Sequence, residues 1–352
     1  MTLKERPTLK TICARTGLSV ATVSKALRGS DQVRPETRAI VEAAAAELGY
    51  SMNLSGLQLR TGKTYQIAAV MTVPPPETDE WEGVEYTQLL SGISKALEGT
   101  PYRVALYAVP DHRQALSVIR RLVERREADG IILSGTRPSD ARVAFLQEQG
   151  FPFVTYGTTS AHGAHPFVDA DNAQLMRLAV ARLVERGHRR IALVNPPEAM
   201  SYGQTRAAAW AEAMGAAGLK ADPALLCAGT LTPRFGAEAV RRLSHLGDPP
   251  TAYICANEAA ALGALSAFAE VGLVHGRDAV INATDDLNIS AYFVPPLTTF
   301  FLPIGRPARL LGQFMLGRLE DRPIEELQCF LMPELIERSD DVLRPTGEAG
   351  PA

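Results

Sequence analysis

From Tyr65 onward the chain repeats one pattern: a short apolar run, a longer amphipathic stretch, then another apolar run. The apolar runs fall at 66–73, 103–108, 130–134, 153–156, 191–195, 251–256 and 280–283. Stretches with apolar residues at helical spacing lie between them, at 86–97, 114–125, 172–186, 206–217 and 258–271. No other feature limits the fold as strongly. Runs that are apolar on both faces suit parallel strands covered by helices on both sides. A strand that returns parallel to its neighbour needs a crossover of helix length. The pattern predicts doubly wound parallel α/β sheets. At roughly 280 residues this part is large for one sheet and suits two lobes. Open α/β sheets bind ligands at the carboxyl ends of their strands, so residues just after each run are the ones to examine.

The first 64 residues follow a different pattern. Thr8 caps a helix over 9–16 that Gly17 ends, with Ile12 and Cys13 facing inward. Ser19 caps a second helix over 20–27, and Pro35 opens a third that stops at Gly49. This head holds ten Lys and Arg against five Asp and Glu, while the rest of the chain holds 26 against 34. A basic head on an acidic body is the asymmetry of a protein that touches a polyanion at one end. The first two helices, joined by Gly17-Leu18-Ser19, have helix-turn-helix spacing. The second begins with small or hydroxylated residues that can lie close to base edges and phosphates. Spacing alone equally fits a three-helix bundle with a polar surface. Residues 51–64 form a polar connector with a helical stretch at 53–60, too short to be stable alone.

Catalysis finds no support. The sequence holds no GxSxG, HExxH or GxGxxG. The stretch from Gly56 to Gly62 imitates a phosphate-binding loop but has five intervening residues where that loop has four. His162 and His165 form an HxxH without further ligands, read as a solvated loop, so neither a metal nor a cofactor is expected. Cys13, Cys227, Cys255 and Cys329 form no CxxC. Charges at Lys4, Glu5, Arg6 and Lys10 replace the apolar core of a secretory signal, and no uncharged apolar run is long enough to span a membrane. These features predict a cytoplasmic protein without a membrane segment.

The stretches TLKTICARTGLSVATVSKALRGS, VRPETRAIVEAAAAELGY and LRTGKT resemble the headpiece of the lactose/galactose repressor (LacI/GalR) family of bacterial transcription regulators. The resemblance continues through GHRRIALV, TRAAAW, CANEAAALGAL, PPLTTF and PELIERS, nearly the whole chain. It implies a small all-α helix-turn-helix headpiece over 1–50, a hinge helix and linker over 51–64, and an effector-binding and dimerisation body over 65–343. That body is implied to be two-lobed and similar to periplasmic binding proteins. Its N-lobe would take about 65–167 and 303–332, its C-lobe about 168–302 and 333–343, with three crossings and a tail at 344–352. Val20 and Ala21 then face bases in the major groove. Thr8, Ser19, Thr22 and Ser24 match phosphate contacts, and Lys25 a basic position near base or phosphate. Arg28 stands where the family has Asn, implying a different operator preference. Leu59 matches a leucine wedged into the minor groove, which kinks the duplex.

Arg206, Asn257 and Asp285 fall after separate strands, where an arginine fork, an amide and a carboxylate can converge on a polyhydroxylated ligand. Taken singly, each is more often a surface or capping residue. The resemblance places all three at effector positions, with Glu85, Tyr86 and Tyr156 in the same cleft. Asp286 reads as a cap or turn residue, and Gly157 and Thr158 supply neither the carboxylate nor the arginine common there. The combined expectation is a homodimeric repressor of a palindromic operator, controlled by a small-molecule effector, a sugar or sugar derivative. Two rivals remain: a sugar-binding transport protein, and a sugar- or nucleotide-processing enzyme.

Overall fold

The computed structural model describes residues 7–27, 32–50, 58, 61–73, 85–160 and 164–338. Two compact units divide the chain, Met1–Lys63 and Thr64–Ala352.

The first unit holds helices Leu9–Thr16, Val20–Ala26 and Pro35–Leu48. Gly17 ends the first in the left-handed region, at φ 71°, and returns its N–H to the carbonyl of Cys13. Ile12, Val23, Ala26, Val41, Ala44 and Ala45 of the three helices, with Val33 of the loop before the third, form its core. Arg15 Nη2 donates to both carboxylate oxygens of Glu47 at 3.0 Å, tying the first helix to the third. Arg28 and Leu59 lie outside the described residues, as does nearly all of 51–60.

The second unit contains two six-stranded sheets. In the first, β1 (Gln66–Thr72), β2 (Arg103–Val109), β3 (Gly130–Leu133), β4 (Phe153–Tyr156), β5 (Phe167–Ala170) and β11 (Gln328–Leu331) are all parallel, in the order 11-5-4-3-1-2. Alternation along β1 shows why. Ile67, Ala69 and Met71 pack with helices Glu85–Ala96 and Gly305–Leu319. Ala68 and Val70 point the other way, toward helices His112–Glu124 and Ala141–Glu148.

The second sheet has β6 (Ile191–Asn195), β7 (Leu226–Ala228), β8 (Ala252–Cys255), β9 (Val280–Asp285), β10 (Thr298–Phe301) and β12 (Glu334–Ile336), in the order 12-10-9-8-6-7. Only the β10–β12 pair is antiparallel. Five strands, β5, β7, β10, β11 and β12, do not stand out as apolar runs, because they are short and hold few apolar residues in succession. β5 pairs in the first sheet, so the first crossing follows Ala170 and comes later than the expected boundary at 167. The other two crossings follow β10 and β11. Helices Pro233–Ser244 and Glu258–Glu270 meet backbone to backbone: a Cβ on Gly263 would sit 1.7 Å from the Pro233 carbonyl oxygen.

Candidate functional site

On the head, the helix Val20–Ala26 leaves its first two side chains outside the core. Val20 is 49% exposed, and Ala21 is exposed beside it. The Ser19 hydroxyl accepts from the Thr22 N–H at 3.1 Å and pairs with the Thr22 hydroxyl at 2.9 Å, so both serve the cap. The Thr11 hydroxyl accepts from the Thr8 N–H at 3.1 Å. Lys25, also exposed, reaches the Gln32 side chain at 2.8 Å. Ser24 is half-buried.

In the body, a cleft of about 600 Å³ lies between the carboxyl ends of the two sheets. Thr72, Ser134, Gly135, Thr136, Tyr156 and Asp169 line it from the first sheet, and Tyr86 from the helix behind β1. Buried Arg142, 1% exposed, holds this wall in place. It donates to the carbonyls of Ser134 and Gly135 at 3.1 and 2.9 Å and to the Thr72 hydroxyl at 3.3 Å. It also pairs with Asp140 at 2.7 Å. Burial pushes the Asp140 carboxyl up, but the bonds from Arg142 leave it below its ordinary value. The Ser201 N–H donates to the Thr136 carbonyl at 2.9 Å and so joins the lobes.

Arg206 is buried in the opposite wall, in the helix Ser201–Ala216. Its Nε donates to Asn172 Oδ1 at 2.7 Å, its Nη1 donates to the Ala256 carbonyl at 2.9 Å, and its guanidinium lies 5.5 Å from the Tyr202 ring. Burial lowers its pKa from the ordinary value. Asp169 accepts from the Thr158 N–H and hydroxyl at 2.9 and 3.1 Å and from Asn172 at 3.1 Å. Burial pushes its carboxyl up to about 6, against the pull of the Thr158 bonds and Arg206. Asn257 caps the helix Glu258–Glu270: its Oδ1 accepts from Ala260 N–H at 2.8 Å and its Nδ2 donates to the Leu231 carbonyl at 3.0 Å. Asp285 has no exposed surface. Its Oδ1 accepts from the N–H groups of Leu287 and Asn288 at 3.1 and 2.7 Å, its Oδ2 from Ser290 at 3.1 Å.

The structure thus brings Tyr86, Tyr156, Arg206, Asn257 and Asp285 to one cleft. Glu85 begins the helix beside Tyr86, but its side chain lies outside the described residues. Asn257 and Asp285 spend polar atoms on their own loops, which spacing could not reveal. Asp169, Asn172, Tyr202, Ser134 and Glu258 line the cleft as well and were not singled out from the sequence. The carboxylate sought near Gly157 and Thr158 comes from the next strand, as Asp169. An Asp following an apolar pair and preceding the caps of a helix is the signal that could have found it. Asp286, read as a turn residue, lines the cleft beside Glu258. His165 is fully buried, with its ring nitrogens 2.9 Å from the Thr159 hydroxyl and 3.0 Å from the Pro166 carbonyl; His162 lies outside the described residues. Among the described residues no cluster of His, Cys, Asp and Glu could hold a metal ion, and no helix is long and apolar enough to cross a membrane.

An arginine fork, buried carboxylates, hydroxyls and tyrosine rings around one cleft suit a ligand with many hydroxyls and an apolar face. Residues 67–303 match the family model for periplasmic binding proteins and the sugar-binding domain of the LacI family, and residues 8–53 that for bacterial regulatory proteins of the lacI family. The HTH-type transcriptional regulator AglR of Rhizobium meliloti (strain 1021) is 32% identical over 91% of this chain and 90% of its own. A solved complex of the transcriptional regulator CelR with cellobiose is 28% identical, with TM-score 0.70, over 95% of this chain and 100% of that one. The lac repressor dimer bound to operator and an anti-inducer shares the fold at 24% identity, TM-score 0.75, over 96% and 100%.

Proposed function

Because this chain belongs to the lacI family of bacterial regulatory proteins, and is a DNA-binding transcription regulator, we propose that it represses from a palindromic operator as a homodimer whose grip a saccharide controls. The observation that carries the effector half is the cleft itself, with buried Arg206 and Asp169 on facing walls and three tyrosines around them. The family is one of regulators rather than enzymes. In the head, exposed Val20 and Ala21 are the side chains offered to base edges, and Lys25 adds charge beside them. Thr8, Ser19, Thr22 and Ser24 surround them on the phosphate side, and Arg28 and Leu59 complete the DNA contacts. Such a protein works where the DNA is, in the cytoplasm.

The dimer has its own support. Leu262, Ile289, Tyr292 and Val294 are 44, 40, 83 and 90% exposed. They sit on the helix Glu258–Glu270 and the short 3-10 helix packed against it, Ile289–Tyr292, with its continuation. An apolar patch of this kind suits isologous pairing. Leu262 and Ile289 also line the cleft, so ligand and interface share residues. An effector that binds the two arrangements of the lobes unequally shifts the dimer between them.

The test begins with selection of DNA from a random duplex pool by the full-length protein. An enriched sequence with two-fold symmetry is expected, bound with a steep loss of affinity as salt rises. Neutral disaccharides are then titrated into the complex. No enrichment, or equal binding by residues 64–352 alone, would remove the DNA-binding assignment of the head. An enriched operator that no saccharide affects would remove the effector class.

A further inference from the structure

One corner of the cleft contains a pair of groups that water would keep apart. Glu258 opens the helix Glu258–Glu270 and is 9% exposed. The carboxyl of Asp286, which follows β9, lies beside it in the lining of the cleft. The other charged side chains lining the cleft among the described residues are Asp285, Asp169 and Arg206. Asp285 stands next to Asp286 and is bound by three backbone N–H groups. Arg206 is held by Asn172 and by the carbonyl of Ala256. Asp169 belongs to the facing wall, with Thr158 and Asn172. The corner thus has carboxyl groups in excess of cations. Two ionised carboxylates in contact and out of water repel strongly, and such a pair keeps one proton between them. Burial, then Asp286 and Asp285, push the Glu258 carboxyl up to about 9.

A second observation points to a ligand in the same cavity. Ser134 is 3% exposed and lines the cleft, yet its hydroxyl has no hydrogen-bond partner in the protein. The Thr284 hydroxyl, also on the lining, has none either. Buried hydroxyls left unsatisfied cost free energy that a polar ligand can restore.

We propose that Glu258 and Asp286 hold one proton between them and act as the specificity element of the cleft. Their remaining oxygens accept hydroxyls of an uncharged saccharide. The corner repels anionic ligands such as sugar phosphates and sugar acids. Loss of the shared proton places two negative charges in contact at the junction of the helix and the β9 loop, and binding falls. This rests on the saccharide reading given above and narrows it to uncharged saccharides.

The experiment uses the full-length protein. Infrared difference spectra of wild type against Glu258→Gln at pH 7 should show a protonated carboxyl band that the variant lacks, with no ligand present. Cellobiose, melibiose, maltose and glucose 6-phosphate are then assayed by melting shift and calorimetry. One or more of the neutral disaccharides should bind at pH 7 and lose roughly tenfold in affinity per pH unit above the pair's titration. The phosphate should not bind. Glu258→Gln, whose amide does not titrate, should flatten that profile, and Asp286→Asn should move its midpoint down. Asp286→Asn carries the test alone if Glu258→Gln fails to fold. Absence of the carboxyl band, or a pH profile unaltered by either variant, overturns the proposal. Binding of glucose 6-phosphate in preference to the neutral sugars overturns the specificity while leaving a saccharide cleft. A carboxyl band with no response to any of the four sugars overturns the recognition role and the saccharide reading together.

Discussion

Replacing Asp285 with Asn keeps the size of the side chain and removes one acceptor. In the wild type the carboxylate, without exposed surface, accepts three backbone N–H bonds of 3.1, 2.7 and 3.1 Å from the segment that follows β9. An asparagine oxygen can keep the two bonds made at Oδ1, from Leu287 and Asn288. Its amide nitrogen then faces the N–H of Ser290, donor against donor. The loss of one charge-assisted bond costs about 1.5–3 kcal/mol, and an orphaned buried N–H a further 1–3. The sum is about 2.5–6 kcal/mol, which for a body of this size lowers the melting temperature by roughly 5–20 °C. The loop so released carries Asp286, Leu287 and Ile289 into the cleft. Saccharide affinity should therefore fall along with stability, and operator binding without effector should persist below the melting temperature. Melting curves, calorimetry with a saccharide that binds the wild type, and operator binding on the same preparation test this. A variant that melts like the wild type but has lost more than tenfold in ligand affinity would refute it. The carboxylate would then be a ligand contact and the three loop bonds of little energetic weight.

The remaining predictions concern the walls of the cleft. Asp169, raised from an ordinary 3.8 to about 6 by burial, makes the wild type less stable as pH rises through that window, by about 3 kcal/mol in all. Asp169→Asn does not titrate there, so its stability relative to wild type should improve by about that amount between pH 4 and pH 7; parallel curves would show that burial does not strain this carboxyl. Gly263→Ala would drive a methyl into the Pro233 carbonyl and force the two helices apart. Its cost should be about 1–3 kcal/mol or more, with weakened ligand binding because Asn257, Glu258 and Pro233 move with those helices. A fully stable Gly263→Ala would mean that the contact yields freely.

The fold was legible where one physical rule governs a run of residues. Ile67 to Met71 must be buried on both faces, and only a parallel strand between two helical layers does that. The head was legible for a similar reason. Its caps, its αL glycines and the inward spacing of Ile12, Val23 and Val41 are local or periodic. β7 and β12, at three residues each, left no such trace, because pairing with a neighbour makes them strands.

The candidate site divides along the same line. Sequence alone determined that Arg206, Asn257 and Asp285 follow strands, and the doubly wound topology sends such residues toward one crevice. It could not determine how each polar atom is spent, because hydrogen bonds join residues far apart in the chain. Arg206 meets Asn172, Arg142 meets Thr72, and Asp169 takes its position from the segment after β4. Nor could it show that Glu258, at the start of a helix, and Asp286, in a turn, come side by side in the cleft. Their ionisation depends on burial and on each other, and both of those are set when the helix after β8 and the loop after β9 pack side by side. Periodicity is written along the chain, whereas desolvation and charge pairing exist only between segments once the lobes have formed.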